Sequence, residues 1–210
     1  MDKYLNIQRY YEKCLEIHGD SHLGVDWPDM SELKTRFDVM LGIKRNPEPA
    51  TILDFGCGTG LLYSHLISTG LNENEYIGLD ISDKFVDLCR EKHPQGKFYC
   101  VDVNRESLFF DFDYAVCNGT FTEKIDLTFD EMFEFFSETT ITLFNRAQKG
   151  IAFNVMSNHL SYMHDRFFHV PHDMMANFIT TKLSKYYTIR NDYGLDDYTV
   201  YVYKEKDGTS

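Results

Sequence analysis

The chain has 210 residues, 43% of them hydrophobic, and a formal net charge of −12. That length and composition suit one well-packed domain and are short for two. The lysines and arginines are dispersed among an excess of acids, so no basic stripe exists for DNA, RNA or an anionic membrane.

In chain order, the first 49 residues hold two helical patterns, Tyr4–Ile17 and Met30–Ile43. In the second, Leu33, Phe37, Met40 and Leu41 fall on one face. The loop between them carries Gly19, Gly24, Trp27 and Pro28, and Arg45–Pro49 links this helical lid to the first expected strand. From residue 50 to about 204, short apolar runs alternate with helical patterns, which predicts an α/β core. Strands are expected at Thr51–Phe55, Glu75–Asp80, Lys97–Asp102, Asp113–Asn118 and Gly150–Met156, rich in Ile, Val, Phe and Tyr. Helices are expected at Gly60–Thr69, Asp83–Lys92 with Ser82 as N-cap, and Phe129–Ala147. Pro171 stands as the first residue of a helix to about Lys185. Tyr186–Asn191 and Tyr198–Tyr203, joined by the turn Asn191-Asp192-Tyr193-Gly194, read as an antiparallel hairpin. The fold class is therefore α/β: a doubly wound, mostly parallel seven-stranded sheet with a C-terminal antiparallel hairpin and an N-terminal helical lid. Residues 1–210 form one domain, with 205–210 as a polar tail.

No apolar run approaches the ~20 residues of a membrane span. The polar N-terminus is unlike a secretory signal. The five scattered cysteines, none in a C-x-x-C pair, read as reduced thiols of a cytoplasmic protein.

The chemistry concentrates at strand ends. Asp54-Phe55-Gly56-Cys57-Gly58-Thr59-Gly60 takes a buried strand into a glycine turn, where the backbone can approach a ligand closely. An acid beside that turn repels a pyrophosphate and favours a cation, and the third glycine follows after one residue rather than two. Both points count against a dinucleotide site. S-adenosylmethionine, with ammonium and sulfonium charges, fits. Asp80 lies twenty residues after Gly60, where an acid accepts from ribose hydroxyls. Asp102 can take an adenine amine beside an apolar neighbour.

This ordered set resembles the class I S-adenosylmethionine-dependent methyltransferases from about Thr51 through the terminal hairpin. The likeness is most specific over Ile52–Leu62 and Tyr76–Ser82. The resemblance implies a cofactor site of Asp54, Phe55, Gly56, Cys57, Gly58, Gly60, Asp80, Ile81, Asp102, Val103, Asn118 and Gly119. Ile81 and Val103 would flank the adenine, and Asn118 and Gly119 would meet the methionine end. Gly24-Val25-Asp26-Trp27 followed by Arg36-Phe37 is similar to small bacterial methyltransferases of polysaccharide or metabolite biosynthesis. The turn Asn118-Gly119-Thr120-Phe121 lacks the paired prolines of amide and nucleobase methylases, which again disfavours nucleic acid.

The acceptor site is expected between the lid and the segment 157–172. That segment holds His159, His164, His169 and His172, whose spacing of five, five and three suits no single helical face, so no metal is expected. His159 or His164 is the candidate general base, as a hydroxyl acceptor benefits from one. Tyr10, Tyr11, Trp27 and Arg36 are lid candidates, and Arg166 an anion anchor. The expected activity is methyl transfer to a small polar metabolite, on a hydroxyl of a sugar or related compound. The alternatives are an N-methyltransferase acting on a small molecule, or a non-catalytic scaffold that retains the cofactor fold.

Overall fold

The computed structural model describes residues 3–71 and 75–206; residues 207–210 of the expected tail lie outside the described residues. Seven strands form one sheet: β1 (Thr51–Phe55), β2 (Glu75–Asp80), β3 (Lys97–Cys100), β4 (Phe112–Cys117), β5 (Ala147–Met156), β6 (Tyr187–Arg190) and β7 (Asp197–Tyr203). Their spatial order is β3-β2-β1-β4-β5-β7-β6. The first five pair in parallel, and β7 runs antiparallel to both β5 and β6. Strand order reverses between β1 and β4, and the crevice outside the strand ends at such a point is where open α/β sheets bind ligands.

The helices are α1 (Leu5–His18), α2 (Met30–Leu41), α3 (Leu61–Ser68), α4 (Asp83–Lys92), α5 (Phe129–Arg146) and α6 (His172–Phe178). On one face of the sheet α5 presents Met132, Phe136 and Leu143 to Phe121, Phe153 and Phe168. It is started by a capping box in which Thr128 and Glu131 each bond the other's backbone. On the other face α2 buries Leu33, Phe37 and Met40 against Ile52, Leu62, Val116 and Ala152. Both β1 and β4 are thus covered on two sides, which explains their unbroken apolar runs.

Several elements depart from the sequence expectation. β3 stops at Cys100, so Asp102 stands two residues past the strand. Pro171 is the N-cap of α6 rather than its first residue, and that helix gives way after Phe178 to a π-helical turn, Ile179–Leu183. Ser82 caps α4 by position only: its hydroxyl donates to Glu12 of α1, 2.8 Å away. Of the two N-terminal helices, α2 is a packing layer of the sheet, with Ile43 fully buried just beyond it. α1 lies over the strand ends, followed by a 3₁₀ turn at Leu23–Val25, and Leu33 and Phe37 of α2 also reach the end of β1.

Candidate functional site

A cleft of about 890 Å³ opens at the ends of β1, β2 and β4, under α1. Its floor is the glycine turn. Gly56 and Gly58 take φ of +75° and +51°. A Cβ on Gly56 would sit 2.5 Å from the Thr120 hydroxyl, and one on Gly58 2.7 Å from Val25. Glycine is therefore required at both places for conformation and for space.

Asp80 hangs beside this floor. One carboxylate oxygen accepts from the Gly58 amide and the other from the Ser82 amide, both at 2.9 Å. A carboxylate has about four lone-pair sites, so acceptor capacity remains on each oxygen. Burial pushes its pKa up, against the pull of those two amides. Asp102 accepts from the Tyr4 hydroxyl at 2.7 Å and from the Asn104 amide at 3.1 Å. The Tyr4 ring stacks on Phe135, 4.9 Å away, which pins the start of α1 over this end.

A smaller hollow of about 330 Å³ adjoins the cleft, with Val25, Trp27, Gly56, Gly58 and Asn118 lining both. Asp54 lines it, buried and hydrogen-bonded to the Tyr76 hydroxyl at 2.6 Å. Burial lifts the Asp54 pKa to about 7, with Asp80 adding repulsion and Tyr76 opposing. The side-chain oxygen of Asn118 is buried with no hydrogen-bond partner among the described residues. Asp54 and Asn118 both line the hollow and offer it acceptor oxygens, which a cation could use.

Nine of the residues expected at the cofactor line the cleft: Phe55, Gly56, Gly58, Asp80, Ile81, Asp102, Val103, Asn118 and Gly119. Asp54 and Cys57 line the hollow. Gly60 lines neither; it starts α3 at φ +73°, with a Cβ there 3.1 Å from the Cys89 sulfur.

The acceptor-side expectations divide. Tyr11 and Trp27 line the cleft. His159 and His164 are exposed and line neither space: His159 stands 5.4 Å from the His172 ring, and His164 accepts from the Arg166 amide at 3.1 Å. Arg166 does not face the cleft. It is paired with Asp26 and with Glu123 (2.6 Å) and donates to the Tyr10 hydroxyl at 2.6 Å, tying the α1 end of the lid to the segments after β4 and β5. Burial pushes Glu123 up to about 7, with Arg166 pulling against it and Asp26 adding repulsion. Arg36 is buried in an ion pair with Asp197 at 2.8 Å, its guanidinium 4.5 Å over the Trp27 ring. Among the described residues no group of three or more His, Cys, Asp or Glu side chains is arranged to hold a metal ion. No described helix is long and apolar enough to cross a membrane.

Sequence reasoning missed Tyr4, Gln8, Val25, Phe85 and Thr120, which also line the cleft. Thr120 directly follows the expected Asn118-Gly119 pair, and that adjacency is a usable signal. The lid residues carried no signal, because an amphipathic helix does not say what its face covers.

Residues 52–139 match the family model of a methyltransferase domain. The putative methyltransferase Rv1506c of Mycobacterium tuberculosis is 27% identical over 164 residues, covering 75% of this chain and 95% of the relative. The same fold occurs in the Synechocystis magnesium protoporphyrin IX methyltransferase, solved with bound S-adenosylmethionine (14% identity, TM-score 0.69, 98% of each chain). It occurs too in an S-adenosylmethionine-dependent methyltransferase of Leishmania major (16% identity, TM-score 0.66, 96% of this chain and 83% of that one). Sheet order and the domain match point the same way. Over residues 52–139 the chain carries a methyltransferase domain, and in fold it is similar to S-adenosylmethionine-dependent methyltransferases.

Proposed function

We propose that the cleft and its adjoining hollow bind S-adenosylmethionine and a small polar acceptor that brings its own nucleophile, an amine or an oxygen already ionised at neutral pH. The observation that carries this reading is the lining. Its ionisable side chains are Asp54, Asp80, Asp102, Tyr4, Tyr11 and Cys57, and no histidine reaches it. Tyr11 is held well above its ordinary pKa by burial, with Glu123 and Asp26 adding repulsion, so it is a poor base near neutrality. A sugar hydroxyl needs a base, and His159 and His164 stand outside the cleft. The amine alternative is therefore preferred over the hydroxyl.

In this reading the residues divide the work. Asp80 accepts from the two ribose hydroxyls with the lone pairs its backbone partners leave free. Ile81 and Val103 flank the adenine, and Asp102 accepts from its amine. Asp54 and the orphaned oxygen of Asn118 hold the ammonium, while Phe55, Gly56, Cys57, Gly58, Gly60 and Gly119 shape the backbone around the methionine portion. The cofactor supplies, when bound, a methyl group on a sulfonium. The protein contributes alignment, by closing Tyr11 and Trp27 over the reacting end and keeping water out. The enzyme works in this reading as one domain in the cytoplasm, without nucleic acid or membrane.

Titration calorimetry with S-adenosylmethionine, followed by an acceptor screen that detects S-adenosylhomocysteine, tests this. Binding with turnover on amines or acids is expected. Absence of heat and of thermal stabilisation would favour the scaffold alternative. Turnover on neutral sugar hydroxyls, lost in His159→Ala or His164→Ala, would overturn the preference for a base-free acceptor.

A further inference from the structure

One chain of buried polar contacts runs from the C-terminal hairpin to the reacting end of the cleft. Asp197, 1% exposed at the start of β7, accepts from Arg36 through one oxygen, at 3.0 Å from Nε and 2.8 Å from Nη2. Its other oxygen accepts from the Asn154 side-chain amide at 2.7 Å and the Tyr193 hydroxyl at 3.3 Å. Asn154 is fully buried in β5, and its own oxygen accepts from the backbone amide of Gly119 at 2.8 Å. Gly119 sits at φ +77°, and a Cβ there would be 2.6 Å from the Trp27 ring. The Arg36 guanidinium stacks on that same ring. The indole is thus held between Arg36 and the Gly119 turn, and both holders answer to one carboxylate.

We propose that Asp197 is a positioning residue for methyl transfer: through Asn154 it fixes the β4 turn at the donor's reacting end, and through Arg36 it fixes the Trp27 indole as the wall that meets the acceptor. This rests on the reading of the cleft as the donor and acceptor site. A buried ion pair is a poor device for stability alone, as well-packed apolar side chains of similar volume serve as well or better. What it provides here is geometry. A carboxylate facing the planar guanidinium fork sets the tilt of that plane, and so the seat of the indole stacked on it. All four acceptor sites of Asp197 are used, which leaves its orientation no freedom. Asn154 interrupts the apolar run Ile151-Ala152-Phe153-Asn154-Val155, and its side-chain oxygen is the acceptor for the Gly119 N–H.

Trp27 is the only tryptophan in the chain, so its fluorescence reports this coupling without any acceptor. In the full-length Asp197→Asn protein, acrylamide quenching of Trp27 is expected to at least double, with emission at longer wavelength. The dissociation constant for S-adenosylmethionine is expected to rise tenfold or more by calorimetry. Arg36→Lys keeps the charge and loses the planar fork, and the same changes are expected at smaller size. Tyr198→Phe removes a hydrogen bond to the Val170 carbonyl from the same strand, outside the relay. It should lower the melting temperature and leave quenching and affinity alone. Wild-type quenching in a cooperatively unfolding Asp197→Asn protein overturns the proposal, as does an equal change in Tyr198→Phe. If Asp197→Asn fails to fold, wild-type quenching in Arg36→Lys overturns it. A wild-type protein that binds no S-adenosylmethionine would instead strike the donor reading, which the tryptophan signal does not depend on.

Discussion

The two sides of the cleft are made in different ways. The floor comes from the ends of β1, β2 and β4, where backbone amides and short turns do the holding: Gly58 and Ser82 on Asp80, and Leu79 accepting from Gly56 and Cys57. The roof comes from α1 and the turn before α2, and it is fastened by side chains from far along the chain. Tyr4 reaches Asp102, Glu12 reaches Ser82, Asp26 reaches Arg166 and Arg36 reaches Asp197. A floor made of strand ends is fixed by the fold itself. A roof made of side-chain ties can be loosened one tie at a time, as a site that must admit and release two molecules requires.

The floor is where a single atom should cost most. Gly58→Val places a branched side chain at φ +51° and against Val25. It should abolish detectable S-adenosylmethionine binding in calorimetry and destabilise the fold by about 1–3 kcal/mol. Asp80→Ala removes the carboxylate proposed to take the ribose and should weaken binding about a hundredfold, ~3 kcal/mol. Comparable binding by either variant would move the donor out of this cleft.

A pH series sharpens the same contrast. Asp54 titrates near 7 when the site is free, and only its ionised form attracts an ammonium. Affinity should rise up to about tenfold per unit of pH as pH increases towards 7, with a proton released on binding, and then level off. Asp54→Asn should flatten that rise in calorimetry across buffers of different ionisation enthalpy. A slope that survives the substitution assigns the proton elsewhere.

On the roof, Glu123 has a folded pKa of about 7, raised from its ordinary value mainly by burial. A raised carboxyl stabilises the fold fully below its unfolded pKa, and that contribution is lost as pH climbs through about 7. Melting temperature should therefore fall between roughly pH 4.5 and 7, and Glu123→Gln should remove part of the fall. Arg166→Ala should lower stability by about 1–2 kcal/mol, the size expected for a charged pair that leaves a buried carboxyl behind. The smallest effect belongs to His159→Ala and His164→Ala, where turnover should stay within about twofold of wild type. A larger loss would bring the segment after β5 back into the chemistry.

Legibility in the sequence divides along the same line. β1, β2 and α4 have the bounds that their patterns predict, since each is closed by a glycine turn, an acid or a proline nearby in sequence. Asp54 and Asp80 stand at or next to strand ends that are visible as ends of apolar runs, whereas Asp102 lies two residues beyond the strand expected to end on it. Arg166 and Arg36 read wrongly as ligand-facing because their partners, Glu123, Asp26 and Asp197, lie up to 161 residues away. Nothing local marks a charge as already paired. The histidines mislead by number: their density after β5 suggests function, whereas His159 and His164 lie on the surface. The alternating pattern of β7 implies one exposed face, yet every residue of Asp197–Tyr203 is buried, several of the polar ones through tyrosine and threonine hydroxyls.

The placing of β7 between β5 and β6 also bears on how the chain assembles. The strand that fills this slot comes from residues 197–203, so β5 is translated some fifty residues before its second neighbour exists. Until then Ile151–Val155 is an unpaired apolar edge, the kind that recruits strands from other chains. Closure of the sheet therefore waits on the last strand in chain order.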